Sequence, residues 1–235
     1  MIFRSWRLVV VACLMAVFGS LVVIPSGTAE AVTRPVVAVI GDSFTAAYGA
    51  GVAKPTTTKD AWWRTTATDL GWTPGSVVAN PGAGFVDTGA YGTFAQGLKA
   101  RPIDRNTNYV LLQGGYNDRG QSPAAVRAGL AELLALIKQQ APKAVVIVVG
   151  AFLPSAAKFT ANYLSVAQAI GDTRAIGSTR YLSGFLCAFS VTGDGVHPDL
   201  AGHRTIGHYV AQRIKRGLDN GDDLHRDSTG TFFTV

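Results

Sequence analysis

The sequence predicts an α/β fold: a three-layer α/β/α sandwich built on a parallel sheet of about five strands. Three observations predict it. Apolar runs such as "PVVAVIG" (35–41) and "KAVVIVVG" (143–150) are continuous rather than alternating, the pattern of strands buried on both faces. They alternate with segments whose apolar residues recur every three or four positions, the pattern of helices. The strand ends run into loops rich in glycine, asparagine and aspartate.

In chain order, "PVVAVIG" (35–41) is the first strand. "KDAWWRTTATDLG" (59–71) has helical spacing and stops at Gly71. "SVVAN" (76–80) is a short strand, and "NYVLLQGG" (108–115) a longer one ending in paired glycines. "SPAAVRAGLAELLALIKQQ" (122–140) is the clearest helix: Ser122 suits its N-cap, Pro123 its first position and Lys138 its last turn. "KAVVIVVG" (143–150) follows as a strand, and "SAAKFTANYLSVAQAIGD" (155–172) as a helix. "TRYLSG" (179–184) is the last strand and "DLAGHRTIGHYVAQRIKRG" (199–217) the closing helix.

The 235 residues suit one domain, and 48% apolar against 15% charged residues excludes a disordered chain. The formal charge is +6. Without residues 1–31, which hold Arg4, Arg7 and Glu30, 19 basic and 14 acidic residues leave +5. That excess has no long basic run, so it suits an anionic envelope surface better than nucleic acid.

The N-terminus reads as an export segment. Arg4 and Arg7 precede an apolar stretch from Leu8 to Ile24, and Ala29 and Ala31 form an A-x-A-like cleavage site. The stretch also reaches the lower limit of a membrane span, so a retained anchor is the second reading. Residues 1–31 are thus expected to be a signal peptide or anchor, 32–218 the folded domain, and 219–235 a polar tail ending in an apolar patch at Phe232–Val235. The expected location is secreted or cell-envelope. Cys13 falls in the export segment, so Cys187 stands alone in the mature chain. Its setting, "SGFLCAF", is that of an inert buried thiol.

Open parallel sheets bind ligands beyond the carboxyl ends of their strands. Four loops there carry chemistry: Gly41-Asp42-Ser43, Asn80-Pro81-Gly82-Ala83-Gly84, Gly114-Gly115-Tyr116-Asn117-Asp118, and Gly193-Asp194-Gly195-Val196-His197-Pro198. Acyl transfer needs a nucleophile, a base and donors for an oxyanion. Ser43 supplies the hydroxyl, His197 the base, and Asp194 the carboxylate that orients it. The Ser43 backbone N–H, Gly84 and Asn117 supply the donors. Singly, each piece has a blander role: a turn at Gly41-Asp42, a helix cap at Asp194 and His197, an Asx turn at Asn117-Asp118. Their recurrence at successive strand ends favours the joint reading.

These blocks resemble the SGNH, or GDSL, hydrolases from Pro35 to Gly217. "GDSFTAAYG" is similar to the family's first block, with Ser43 as nucleophile; "NPGAGF" to its second, whose glycine N–H is an oxyanion donor. "GGYND" resembles its third, with Asn117 as the other donor, and "DGVHP" its fifth, with Asp194 and His197. The resemblance implies a flavodoxin-like five-stranded sheet, serine esterase or lipase chemistry, and no metal or other cofactor. The second block is one residue short, which leaves Gly82 as the alternative donor to Gly84. Tyr116 stands where the family has a small residue and either touches substrate or packs the loop.

Remaining candidates have structural readings. Asp42 braces the loops, and His203 packs or caps near the site. His208 and His225 are exposed. Trp62, Trp63 and Trp72 belong to the core rather than to a sugar groove. The expected activity is an exported serine esterase acting on short acyl esters of glycans or on small lipid esters. Acyl transfer by the same residues and a non-catalytic glycan- or lipid-binding module are the alternatives.

Overall fold

A computed structural model describes residues 33–48, 60–154, 166, 169, 179–182 and 187–220. Its strands are β1 (Val36–Gly41), β2 (Thr73–Ala79), β3 (Tyr109–Gln113), β4 (Val145–Val149) and β5 (Thr179–Leu182). Its helices are α1 (Trp62–Asp69), α2 (Phe94–Ala100), α3 (Pro123–Gln140) and α4 (Leu200–Asn220). The strands pair in parallel in the order β2-β1-β3-β4-β5.

Alternate residues of each strand feed opposite layers, which is why the apolar runs are continuous. Ala38 and Ile40 of β1, Val110 and Leu112 of β3, and Val146 and Val148 of β4 pack with Leu98 of α2 and Leu130, Leu133 and Ile137 of α3. Val37, Val39, Leu111, Ile147 and Val149 point the other way, against Trp62 and Trp63 of α1 and Ile206, Val210 and Ile214 of α4. The sheet is therefore a buried middle layer, as predicted. Truncating a residue such as Leu111 to alanine would remove about 2–5 kcal/mol of stability.

Local chemistry sets the ends. Ser122 caps α3 by accepting the Ala125 N–H, with Pro123 in its first turn. Gly71, at φ +67°, turns the chain out of α1 in a conformation that favours glycine. Helices α1 and α4 approach closely because Gly207 has no side chain: a Cβ there would lie 2.6 Å from the Trp62 carbonyl oxygen.

Two elements differ from expectation. Strand β2 begins at Thr73, three residues before the apolar run, and includes Pro74 and Gly75. It is the sheet edge, where a proline without an N–H is tolerated. Helix α2 was not expected. It is only seven residues long, but Thr93 and Gln96 form a capping box that fixes its start.

The expected export segment, most of the expected helix 155–172, and the tail with His225 and Phe232–Val235 lie outside the described residues. Val166 and Ala169, within that helix, are helical and buried. No helix among the described residues is long and apolar enough to cross a membrane.

Strand order reverses between β1 and β3. In doubly wound sheets that reversal opens a crevice at the carboxyl ends of the two strands. Ser43 follows β1 and Asn117 follows β3, so they flank it.

Candidate active site

The nucleophile loop begins where β1 runs out of room. A Cβ on Gly41 would lie 2.2 Å from Thr45 Oγ1 and 2.9 Å from the Gln113 carbonyl oxygen, so the position requires glycine. Asp42 is fully buried. Its carboxylate accepts the Phe44 N–H at 2.9 Å and lies 3.4 Å from Gln113 Nε2, while the Thr45 hydroxyl donates to Gln113 Oε1 at 3.2 Å. Burial pushes Asp42 up to about 7, against the opposing bonds from Phe44 and Gln113. Asp42 therefore braces the loop, as expected.

The chain then makes a helical turn. Ala46 N–H reaches the Asp42 carbonyl at 3.0 Å, and Tyr48 N–H reaches the Ser43 carbonyl at 2.9 Å. Ser43 sits in the first turn, and its own N–H has no partner among the described residues. Trp63 Nε1 donates to the Thr45 carbonyl at 3.0 Å and ties the loop to α1.

The second half of the site is a short closed loop. An antiparallel bridge between Val191 and Pro198 closes it, and Gly195 N–H donates to the Thr192 carbonyl at 3.0 Å with φ +70°. This places three donors on one oxygen of Asp194: Oδ1 accepts the Val196 N–H at 2.8 Å, the His197 N–H at 2.9 Å and the Thr192 hydroxyl at 2.9 Å. Oδ2 is left for the imidazole and meets His197 Nδ1 at 2.6 Å. The His197 bond, then these donors, hold the Asp194 carboxyl well below the usual range. An ionised Asp194 accepts a hydrogen bond from Nδ1–H, so the proton stays on Nδ1 and Nε2 presents its lone pair. That Nε2 lies 2.9 Å from Ser43 Oγ. The structure thus joins Ser43, His197 and Asp194 in one hydrogen-bonded line.

The expected donors divide. Asn117 opens a single 3-10 turn after β3, and its Nδ2 donates to the Ala83 carbonyl at 2.7 Å. An amide nitrogen carries two hydrogens, so one bond fixes the group and the other remains for a ligand. Gly84 is a correction. Its N–H donates to the Asp87 carbonyl at 2.9 Å and is committed to the loop. Gly82 takes φ +80°, and its N–H has no partner among the described residues. Gly82, the alternative, is therefore the glycine with an available amide, and it adjoins the residue that anchors Asn117.

Asp118 does more than make an Asx turn. It is buried and accepts three successive amides, from Phe85 at 2.9 Å, Val86 at 2.9 Å and Asp87 at 3.1 Å. Burial raises its pKa despite those bonds. The sequence placed Asp118 beside Asn117 but gave no sign that the glycine loop would fold around it.

Aromatic rings enclose the imidazole. Phe44, fully buried, lies 5.6 Å from the His197 ring, and Tyr48, 53% exposed, lies 4.9 Å from it. Tyr116 packs on Phe44 at 5.8 Å with the Arg119 guanidinium 5.2 Å above its ring, so loop packing is its visible role. Sequence reasoning missed Tyr48, because a separation of five residues from Ser43 means little until the turn is known. Trp62, Trp63 and Trp72 are buried, and Trp72 stacks on Tyr109 at 4.1 Å. His203 is buried, its Nδ1 accepting the Trp62 N–H at 3.4 Å. His208 is exposed and meets Asp69 at 2.6 Å. Burial pushes the Cys187 thiol up to about 11, consistent with an unreactive packing role. Among the described residues no three His, Cys, Asp or Glu side chains converge to hold a metal ion.

The chain is similar to known lipases and esterases in sequence and in fold. A GDSL lipase of Mycobacterium tuberculosis is 26% identical over 192 residues, covering 77% of this chain and 82% of that protein. A family two carbohydrate esterase from Clostridium thermocellum, solved with cellohexaose, shares the fold at TM-score 0.60 and 17% identity over 79% of this chain. The chain spans 65% of that esterase's length. A carbohydrate esterase family 2 enzyme of Corynascus, solved with its carbohydrate binding domain, gives TM-score 0.63 at 22% identity, covering 80% of this chain and 67% of its own. Residues 39–205 match the GDSL-like Lipase/Acylhydrolase family, a span that holds all four loops of the site. The chain belongs to that family.

Proposed function

We propose that the protein is an exported serine esterase that hydrolyses short acyl esters carried on glycans. The observation that carries this reading is the hydrogen-bonded line from Ser43 Oγ through His197 to Asp194, at 2.9 and 2.6 Å. Ser43 Oγ attacks the ester carbonyl while His197 Nε2 takes its proton, and Asp194 stabilises the resulting imidazolium. The carbonyl oxygen becomes an oxyanion met by the Ser43 N–H, the Gly82 N–H and the free hydrogen of Asn117 Nδ2. Collapse breaks the bond to the alcohol oxygen, which leaves with the proton from His197. Water, activated by His197, then attacks the acyl-serine and releases the acid.

The glycan part of the reading draws on the carbohydrate esterases that share the fold. The short-acyl part draws on the lack, among the described residues, of a broad exposed apolar surface: the large exposed apolar side chains are Tyr48, Tyr91 and Leu200. Export draws on Arg4 and Arg7, the apolar stretch to Ile24, and Ala29 and Ala31. Mass spectrometry of the mature N-terminus tests that part. For the chemistry, Ser43→Ala is expected to lower p-nitrophenyl acetate turnover by about a thousandfold or more. A folded Ser43→Ala variant working at the wild-type rate would overturn the reading.

A further inference from the structure

The ring of Tyr48 stands 4.9 Å from the His197 ring and is exposed, whereas Phe44, 5.6 Å from the same imidazole, is fully buried. Tyr48 is 53% exposed, an unusual state for a large aromatic side chain set against a reacting group. Its position is held at a conformational cost. Ala47, immediately before it, has φ 53°, the only positive φ outside glycine among the described residues. Such backbone is unfavourable for a residue with a Cβ and persists where surrounding structure enforces it. Here the Ala47 methyl is fully buried and the Tyr48 N–H is bonded to the Ser43 carbonyl, so the strained turn fixes the ring relative to the nucleophile.

Acyl transfer decides which part of a substrate meets this ring. The carbonyl oxygen turns toward the Ser43, Gly82 and Asn117 donors. The leaving oxygen must come within hydrogen-bond reach of His197 Nε2, because that nitrogen returns the proton to it. The alcohol part of the ester therefore extends past the imidazole, alongside Tyr48, while the acyl part lies elsewhere. An exposed aromatic face with a polar hydroxyl tip suits a rigid ring that has an apolar C–H face and a hydroxylated rim. An alkyl alcohol would call for a continuous apolar track, and the described surface offers only two tyrosines and one leucine as large exposed apolar residues.

We propose that Tyr48 is the platform on which the sugar ring of an O-acylated pyranoside stacks as the leaving alcohol, so that the enzyme reads the alcohol more than the acyl group. This inference rests on the serine esterase reading above. The test compares an acetylated methyl xylopyranoside with ethyl acetate, using full-length wild type, Tyr48→Ala and Tyr48→Trp. In Tyr48→Ala the ratio of kcat/KM for the pyranoside to that for ethyl acetate falls about tenfold, and the fall lies in KM. Tyr48→Trp, which restores an aromatic face, recovers the ratio. An unchanged ratio in Tyr48→Ala overturns the inference. So does an equal loss on both esters carried by kcat, which would make Tyr48 only a positioner of His197. Either result leaves the esterase reading standing if wild type cleaves ethyl acetate. A folded wild type that cleaves neither ester overturns both.

Discussion

Gly84 and Asp118 occupy one space: a Cβ on Gly84 would lie 2.3 Å from Asp118 Oδ1 and 2.4 Å from Oδ2. The missing side chain lets the loop after β2 wrap a buried carboxylate that accepts three consecutive amides. The loop glycine that the sequence offered as an oxyanion donor is thus a packing position. Gly84→Ala is expected to destabilise the protein by about 2 kcal/mol or more, since the carboxylate is held too tightly to move aside. A urea midpoint within error of wild type would show that the loop yields easily.

Asn117 is expected to act in the transition state. Its Nδ2 is anchored to the Ala83 carbonyl at 2.7 Å, leaving one hydrogen for the oxyanion. Asn117→Ala should cost about a hundredfold in kcat with a much smaller change in KM. Steady-state kinetics on p-nitrophenyl acetate check this. A loss confined to KM would place Asn117 in ground-state binding instead.

Asp194 is expected to set the tautomer of His197. The amide of Asn at this position can present an N–H to Nδ1, which would turn the Nε2 proton toward Ser43. Asp194→Asn should therefore lower kcat by about a thousandfold or more while the fold remains intact. Kinetics beside a thermal melt separate the two. A melt unchanged with activity near wild type would remove Asp194 from the mechanism.

Two buried groups give opposing pH dependences of stability. Burial raises Asp42 from 3.8 to about 7, so its contribution is greatest below 3.8 and is lost as pH rises toward 7. Burial lowers His203 from 6.5 to about 4, against the pull of Asp199, so its contribution is present above 6.5 and is lost as pH falls toward 4. The two largely offset one another between about pH 4 and 6.5, and the wild-type urea midpoint should vary weakly there. Asp42→Asn removes one side of the balance. Its stability relative to wild type should be higher at pH 8 than at pH 5, and its own midpoint should fall more steeply with acid. A difference independent of pH would show that Asp42 does not change protonation in this range.

The sheet and its layers were legible because burial on both faces leaves a direct trace in "VVAVI" and "VVIVV". Helix α3 was legible because Ser122, Pro123 and Lys138 mark its ends. Helix α2 was not, since seven residues carry too little periodicity to announce themselves. Strand β2 began early because edge pairing with β1 recruits Thr73 and Pro74, and no apolar pattern records that. Within the site, Ser43, Asp194, His197 and Asn117 were readable as residue types at strand ends. The choice between Gly82 and Gly84 was not, because it turns on which amide the loop leaves without a partner. Tyr48 was hidden for a related reason: its place beside His197 depends on the left-handed turn at Ala47.

The hydrogen-bonded line to His197 and Asp194 makes Ser43 the expected activated nucleophile. Intact-mass analysis after treatment with diethyl p-nitrophenyl phosphate tests it most directly. A single diethylphosphoryl adduct is expected, one that maps to the peptide bearing Ser43, is absent in Ser43→Ala, and forms far more slowly in His197→Ala. Folded wild-type protein that hydrolyses esters yet takes no adduct at Ser43, or takes it at another residue, would remove Ser43 as the nucleophile.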